Sequence, residues 1–173
     1  MRRVSIVGSA GAGTTTVGRR LAAGLDVPLV ELDGIFHQPE WTPLPRDEFR
    51  ARVAEIVAAD GWVVDGNYSA VQDLVWAAAD TVVWLDPPRR VAMRRVTGRT
   101  VRRVVTRERL WNGNREPLTN LYRLDPEQNI VRWAWVTHPE LVERYESMAA
   151  DPAFAHLQVL RLRTPDDVEA LFA

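Results

Sequence analysis

Directly after the apolar run Val4-Ser5-Ile6-Val7, the chain reads Gly8-Ser9-Ala10-Gly11-Ala12-Gly13-Thr14-Thr15-Thr16. These residue types at this spacing suit one kind of chemistry, the holding of phosphate. Gly8 and Gly13 fit the ends of the pattern G-x-x-x-x-G-K-[ST], and Thr15 fits its hydroxyl position. Glycines at 8, 11 and 13 permit positive φ and a close approach of backbone to an anion. Successive N–H groups can then turn inward and form a concave anion site. A helix starting near Gly13 adds the partial positive charge of its N-terminus. The Thr15 hydroxyl suits a Mg²⁺ ligand beside nucleotide phosphates. The expected ligand is ATP or GTP with Mg²⁺, held by residues 8 to 16.

One position departs from the pattern. Thr14 stands where the pattern has lysine, and the chain contains no lysine at all, its 22 basic residues being arginine. A threonine donates a hydrogen bond but carries no charge. Losing a charge-assisted contact costs roughly 1.5–3 kcal/mol. Arginine is planar and bulkier than the compact ammonium it would replace. Three explanations stay open: an arginine elsewhere supplies the charge, the protein binds nucleotide and catalyses poorly, or Thr14 is an engineered replacement.

The surrounding pattern says how such a loop is positioned. Residues 4–7 read as a strand. A helix follows from about Gly13 to Gly24, with Val17, Leu21 and Leu25 on one face. Val27 to Leu32 reads as a second strand, ending in Asp33-Gly34. Prolines 39, 43 and 45 around Trp41 mark a loop. Pro45, Asp47 and Glu48 open a helix whose buried face is Phe49, Val53, Ile56 and Val57, closing near Asp60-Gly61. Trp62-Val63-Val64 is a third strand, ending in Asp65-Gly66-Asn67-Tyr68. Val71, Leu74 and Val75 suggest a short helix. Thr81 to Leu85 is a fourth strand, followed by a long arginine-rich helix. Residues 110–125 are polar and turn-rich, and a helix with Trp133, Trp135 and Tyr145 runs to about Met148. Leu157 to Leu162 is the last strand and Pro165 to Phe172 the last helix. The alternation predicts a three-layer α/β fold, a single domain over residues 1–173 with five parallel strands. In such sheets ligands lie beyond the carboxyl ends of the strands, which is where the reading places both Asp33 and Asp65. Residues 100–125 form a lid-like insertion.

Composition excludes several classes. There is no cysteine, so disulfide and thiolate chemistry are absent. The histidines His37, His138 and His156 have no metal-ligand spacing and read as structural or surface residues. No run of about 18 apolar residues predicts a membrane span. The first strand begins too early to leave room for a signal peptide, and the expected location is cytoplasmic. The net charge of −1 hides an asymmetry: residues 89–109 hold nine arginines against Glu108 alone, so that block is +8 and the rest −9. Such a block binds polyphosphate or nucleic acid, or is a solvated helix face.

These residues together resemble the adenylate-kinase-like P-loop kinases, and within them the small bacterial group called DNA topology modulation proteins. The likeness rests on the loop at 8–15, Leu32-Asp33 with Trp41, Trp62 to Ser69, and Leu85-Asp86 followed by Arg89. It implies that Asp65 is the acid beside Mg²⁺ and that Asp33 faces the phosphate acceptor, holding or deprotonating a hydroxyl. It implies that arginines between 89 and 103, Arg95 and Arg99 among them, contact phosphates from the lid side. The expected function is phosphoryl transfer from ATP to a nucleotide, nucleoside or other small hydroxylated acceptor. Two alternatives are a nucleotide-binding regulator with degenerate catalysis and a nucleic-acid-binding module on the arginine-rich helix. The last has few interleaved aromatics, since only Trp111 lies near that helix in sequence.

Overall fold

A computed structural model describes the backbone of residues 1–173 and every side chain but that of Glu127. Five strands form one sheet: β1 (Arg3–Gly8), β2 (Leu29–Glu31), β3 (Trp62–Asp65), β4 (Thr81–Leu85) and β5 (Gln158–Leu162). All pairings are parallel, in the order β2-β3-β1-β4-β5. The helices are α1 (Thr14–Leu25), α2 (Leu32–Phe36), α3 (Arg46–Val57), α4 (Ser69–Ala78), α5 (Arg89–Thr106), α6 (Thr119–Tyr122), α7 (Ile130–Ala149) and α8 (Pro165–Ala170).

The central strands are apolar on both sides because both sides are covered. Their side chains alternate between two cores with period two. Val4, Ile6, Val63, Val83 and Leu85 pack with Val17, Leu21 and Ala22 of α1, with Val168 of α8 against them. Val7, Val64, Val82 and Trp84 face the other way, onto Phe49 and Val53 of α3, Val71, Val75 and Trp76 of α4, and Leu141 and Tyr145 of α7. Trp62, Phe49 and Trp76 are almost wholly buried. Full burial of side chains this large contributes about 1.5–3 kcal/mol each. This is the three-layer α/β fold that the alternation of elements predicts.

The sheet order decides where the site falls. β1 is central, with β3 on one side and β4 on the other. The loop that leaves β1 therefore emerges between the carboxyl ends of both neighbours, at a switch point of the sheet.

Two expectations need correcting. The second strand covers only Leu29–Glu31, not residues 27–32. Pro28 has no N–H to give to a ladder, and the chain turns into α2 once Leu32 is buried. Asp33 therefore does not end a strand; it lies in the first turn of α2. The helix expected around 71–75 is longer, Ser69–Ala78.

Candidate active site

Gly11 and Gly13 in the loop after β1 have φ of +86° and +103°, a region L side chains seldom adopt. Gly11 also lies close against α5: a Cβ there would stand 2.2 Å from the Ala92 carbonyl oxygen. The loop thus wraps tightly and brings α5 over it. Ala12 N–H closes the turn onto Ser9 O at 2.9 Å, while the N–H groups of Gly13, Thr14 and Thr15 meet no acceptor among the described residues. Those free donors at the start of a twelve-residue helix fit an anion.

The loop is anchored at its base. Asn67, just past β3, accepts from Gly8 N–H at 3.2 Å and donates to Gly8 O. Its side-chain amide continues the β1–β3 ladder after the backbone has left it at Gly66, where φ is +151°. Tyr145 on α7 donates to the same Asn67 Oδ1 at 2.7 Å, which fixes the amide's orientation.

Thr15 and Asp65, each read from the sequence or its resemblance as a residue beside Mg²⁺, come together. The Thr15 hydroxyl donates to Asp65 Oδ2 at 2.7 Å. Asp65 is buried, and burial pushes its carboxyl up to about 6 although the hydroxyls of Thr15 and Thr14 both oppose this. A desolvated carboxylate beside a hydroxyl is a hard-oxygen pair, and this donor set fits Mg²⁺ completed by phosphate oxygens. Among the described residues no group of three His, Asp or Glu side chains is placed to hold a metal unaided.

Asp33 lies on the same sheet edge. The Tyr68 hydroxyl donates to Asp33 Oδ1 at 2.5 Å and lies 3.2 Å from His37 Nε2. A phenol has one proton, so the imidazole must be the donor in the second bond. Burial raises the Tyr68 phenol, with Asp33 adding to the effect, and lowers the His37 imidazole against the pull of Asp33. Tyr68, His37 and Asn67 were not singled out from the sequence. Tyr68 and Asn67 stand in the Asp65-Gly66-Asn67-Tyr68 run, and that was the one available signal.

The arginines of α5 part company. Arg95 donates to Ala12 O at 3.2 Å and lies over Gly13. Arg99 is half-buried, and its buried Nε has no hydrogen-bond partner among the described residues. Burial, then the neighbouring Arg103 charge, lowers its pKa, while Glu116, Asp33 and Asp65 act against this. It is a cation whose charge is felt together with those of Asp33 and Asp65, and it forms an ion pair with neither among the described residues. Arg103 pairs with buried Glu116 at 3.7 Å, and Arg102 pairs with Glu108 on the exposed face. Arg89 is directed away. Pro139 in α7 lacks the N–H that would bond Trp135 O. Arg89 fills that carbonyl instead and stacks on the Trp135 ring, its guanidinium carbon 3.5 Å from the centroid. The implied phosphate role of Arg89 is not what this geometry gives.

The turn-rich segment after α5 docks on the loop after β2. Trp111 Nε1 donates to Glu31 Oε2 at 3.0 Å. Asn112 donates to the carbonyls of Gly34 and His37 at 3.0 and 2.6 Å. Buried Asn114 donates to Gln38 O at 2.9 Å and accepts from Trp41 N at 3.0 Å. Gly34 makes room for the indole, since a Cβ there would lie 3.0 Å from Trp111 Cδ1. No helix among the described residues is long and apolar enough to cross a membrane.

Comparison with known proteins agrees with this architecture. No family profile and no curated protein matches the chain. Solved structures do. The shikimate kinase of Bacteroides thetaiotaomicron is 15% identical, with a TM-score of 0.54 over 98% of this chain and 93% of that one. The shikimate kinase of Acinetobacter baumannii, solved with shikimate, is 16% identical with a TM-score of 0.56 over 99% and 91%. A gluconokinase of Sinorhizobium meliloti is 18% identical with a TM-score of 0.52 over 98% and 93%. None of these comparisons supports the narrower likeness to DNA topology modulation proteins. The chain has the fold of small-molecule P-loop kinases.

Proposed function

We propose that this protein transfers a phosphoryl group from a nucleoside triphosphate, ATP or GTP, to a hydroxyl of a small-molecule acceptor. The observation that carries the reading is the Thr15–Asp65 pair beside the free N–H groups at 13–15, near enough to Arg99 for its charge to be felt at Asp65. The loop's N–H groups cradle the phosphates, with Thr15 and Asp65 as holders of Mg²⁺. When bound, the ion neutralises charge on the phosphate oxygens. Asp33 faces the acceptor and takes its hydroxyl proton. Arg99 meets negative charge on the transferred group. Residues 107–116 close over the acceptor side, with Trp111 as the roof. Phosphoryl transfer needs little from a protein beyond position and charge, and each of these residues offers one or the other.

A second reading keeps the binding and drops the turnover. Thr14 favours it, because the loop itself has no ammonium. Labelled ATP offered with a panel of sugars, polyols, hydroxy acids, nucleosides and nucleotides separates the two, with calorimetry of MgATP in parallel. Label moving to an acceptor supports transfer. Tight binding without any transfer supports the regulator. No calorimetric signal with millimolar MgATP or MgGTP would sink both.

A further inference from the structure

Single apolar side chains on a surface are ordinary, but a concentration of them marks a place made for contact. Among the described residues, nine of the ten exposed large apolar side chains fall between Val101 and Val136, the tenth being Met1. Leu118, Tyr122 and Leu124 are 59%, 64% and 72% exposed. Their segment is held from beneath. Buried Asn120 accepts from Ile130 N–H at 2.9 Å and donates to Glu116, which pairs with Arg103 of α5. Buried Asn129 donates to Arg123 O and Arg132 to Leu124 O, both at 2.7 Å. Polar groups thus tie residues 116–124 to both α5 and α7, while the apolar side chains stay outside. Trp133 and Val136 of α7 stand one turn apart on one face of that helix.

The same stretch is basic. Residues 89–136 hold twelve arginines against four acids, a net +8, and the rest of the chain carries −9. Arg109 and Arg115 face one another across an antiparallel bridge. Like charges directly opposite repel, and neither residue is in an ion pair among the described residues. Arg123 stands between Tyr122 and Leu124 with its guanidinium carbon 5.8 Å from the Tyr122 ring centroid, and it too is in no such pair.

We propose that this face, from Leu118 to Leu124 with Trp133 and Val136, docks on an anionic lipid surface. Leu118, Leu121, Tyr122 and Leu124 enter the boundary between headgroups and acyl chains, and Arg109, Arg115 and Arg123 meet lipid phosphates. Charge and side-chain type decide among the occupants. A second copy of the chain in a two-fold contact would set the basic stretch against itself. Nucleic acid would satisfy the arginines, but six of the nine exposed side chains are leucine or valine, with no ring for a base to stack on. A lipid interface takes every kind of group present: aliphatic ends in the apolar boundary, tyrosine and tryptophan at headgroup level, arginine on phosphate. The protein lies on such a surface without crossing it, and the contact is independent of whether the loop after β1 turns over nucleotide.

The test is co-sedimentation of the full chain with two kinds of vesicle, phosphatidylcholine alone and phosphatidylcholine with about one-third phosphatidylglycerol. The protein should bind the anionic vesicles at least about tenfold more tightly, and rising salt should weaken the binding without abolishing it. Leu121→Ser with Leu124→Ser should weaken it about tenfold or more, since two apolar anchors are lost. Arg109→Gln with Arg115→Gln should also weaken it about tenfold or more. The control pair Arg46→Gln with Arg52→Gln removes the same charge from α3 and should cost less than about threefold. All six positions are exposed, so circular dichroism and melting should show the variants folded.

Several results would overturn the proposal. Equal binding to both vesicles, or an equal loss in the control pair, would mean that the charge of this face plays no part. No binding of the folded protein to either vesicle would remove the surface altogether. Binding that the leucine pair leaves unchanged would be adsorption by charge alone. Displacement of vesicles by duplex or single-stranded DNA, with DNA affinity lost in the arginine pair, would make the face a nucleic-acid site. A dimer in sedimentation equilibrium that the leucine pair dissolves would put a second copy there.

Discussion

Tyr68 and Asp33 are joined by a 2.5 Å hydrogen bond that crosses from the end of β3 to α2. The phenol occupies one oxygen of the carboxylate and leaves the other for an acceptor hydroxyl. His37 Nε2–H, 3.2 Å from the phenol oxygen, keeps Tyr68 pointing its proton at Asp33. Asp33→Asn should leave calorimetric MgATP affinity within about twofold and lower transfer by about a hundredfold or more, as loss of a general base does. Tyr68→Phe should lower turnover several-fold with the same unchanged MgATP affinity. A common loss of nucleotide binding in both variants would place the pair in the nucleotide subsite instead.

Asp65 makes the protein's stability depend on pH. Burial raises its carboxyl from 3.8 to about 6 in the folded state. The folded state therefore prefers the proton. The associated stability is fully present below 3.8 and is lost as pH rises through about 6. The shift corresponds to about 3 kcal/mol. Nucleotide-free wild type should melt progressively lower over this window, and Asp65→Asn should flatten that slope. Mg²⁺-dependent nucleotide binding should run the other way, strengthening as the carboxylate forms and releasing a proton at the acid end. Melting curves and calorimetry in buffers of different ionisation heat check both signs.

Gly11 sets the contact between loop and α5. A Cβ at this position would lie 2.2 Å from Ala92 O and 3.0 Å from Val96 N, on a backbone with φ of +86°. Backbone atoms of a helix cannot step aside as a side chain does. Gly11→Ala should cost roughly 1–3 kcal/mol from overpacking alone, and should weaken MgATP more than tenfold by moving both Arg95 and the loop. Gly24→Ala is the control, because a Cβ at Gly24 meets nothing within 4 Å. It should not lower the melting temperature.

Asn114 tests the docked segment. It is buried and bridges Gln38 O and Trp41 N. Asn114→Ala strands both partners, at a cost of roughly 1–3 kcal/mol if they stay buried. Hydrogen exchange should rise together at residues 34–42 and 107–116, while β1 and β4 stay protected. Rising exchange in only one of the two segments would show that they do not open as a unit.

The pattern of the sequence determined the order of strands and helices and the place of the glycine-rich loop, which depend on near neighbours along the chain. Short apolar runs separated by helical stretches decide a parallel sheet covered on both faces, because each central strand must bury two apolar rows. The spacing of Gly8, Gly11, Gly13 and Thr15 decides a tight loop that opens a helix, since backbone freedom and helix start are local properties. That Thr15 and Asp65 would be neighbours was legible, because the loop after β1 leads into the start of α1 beside the carboxyl end of β3. Packing over long separations decided the rest. Whether an arginine of α5 reaches the site depends on the helix's rotation against the loop, which the Gly11–Ala92 contact sets. That rotation sends Arg95 to Ala12, 83 residues away, and half-buries Arg99. Arg89 is turned aside by a carbonyl that Pro139 frees in α7. Tyr68 meets Asp33 across 35 residues because Pro28 and buried Leu32 end β2 early and turn the chain into α2. A side chain's direction follows from the sum of such contacts, and no window of sequence contains that sum.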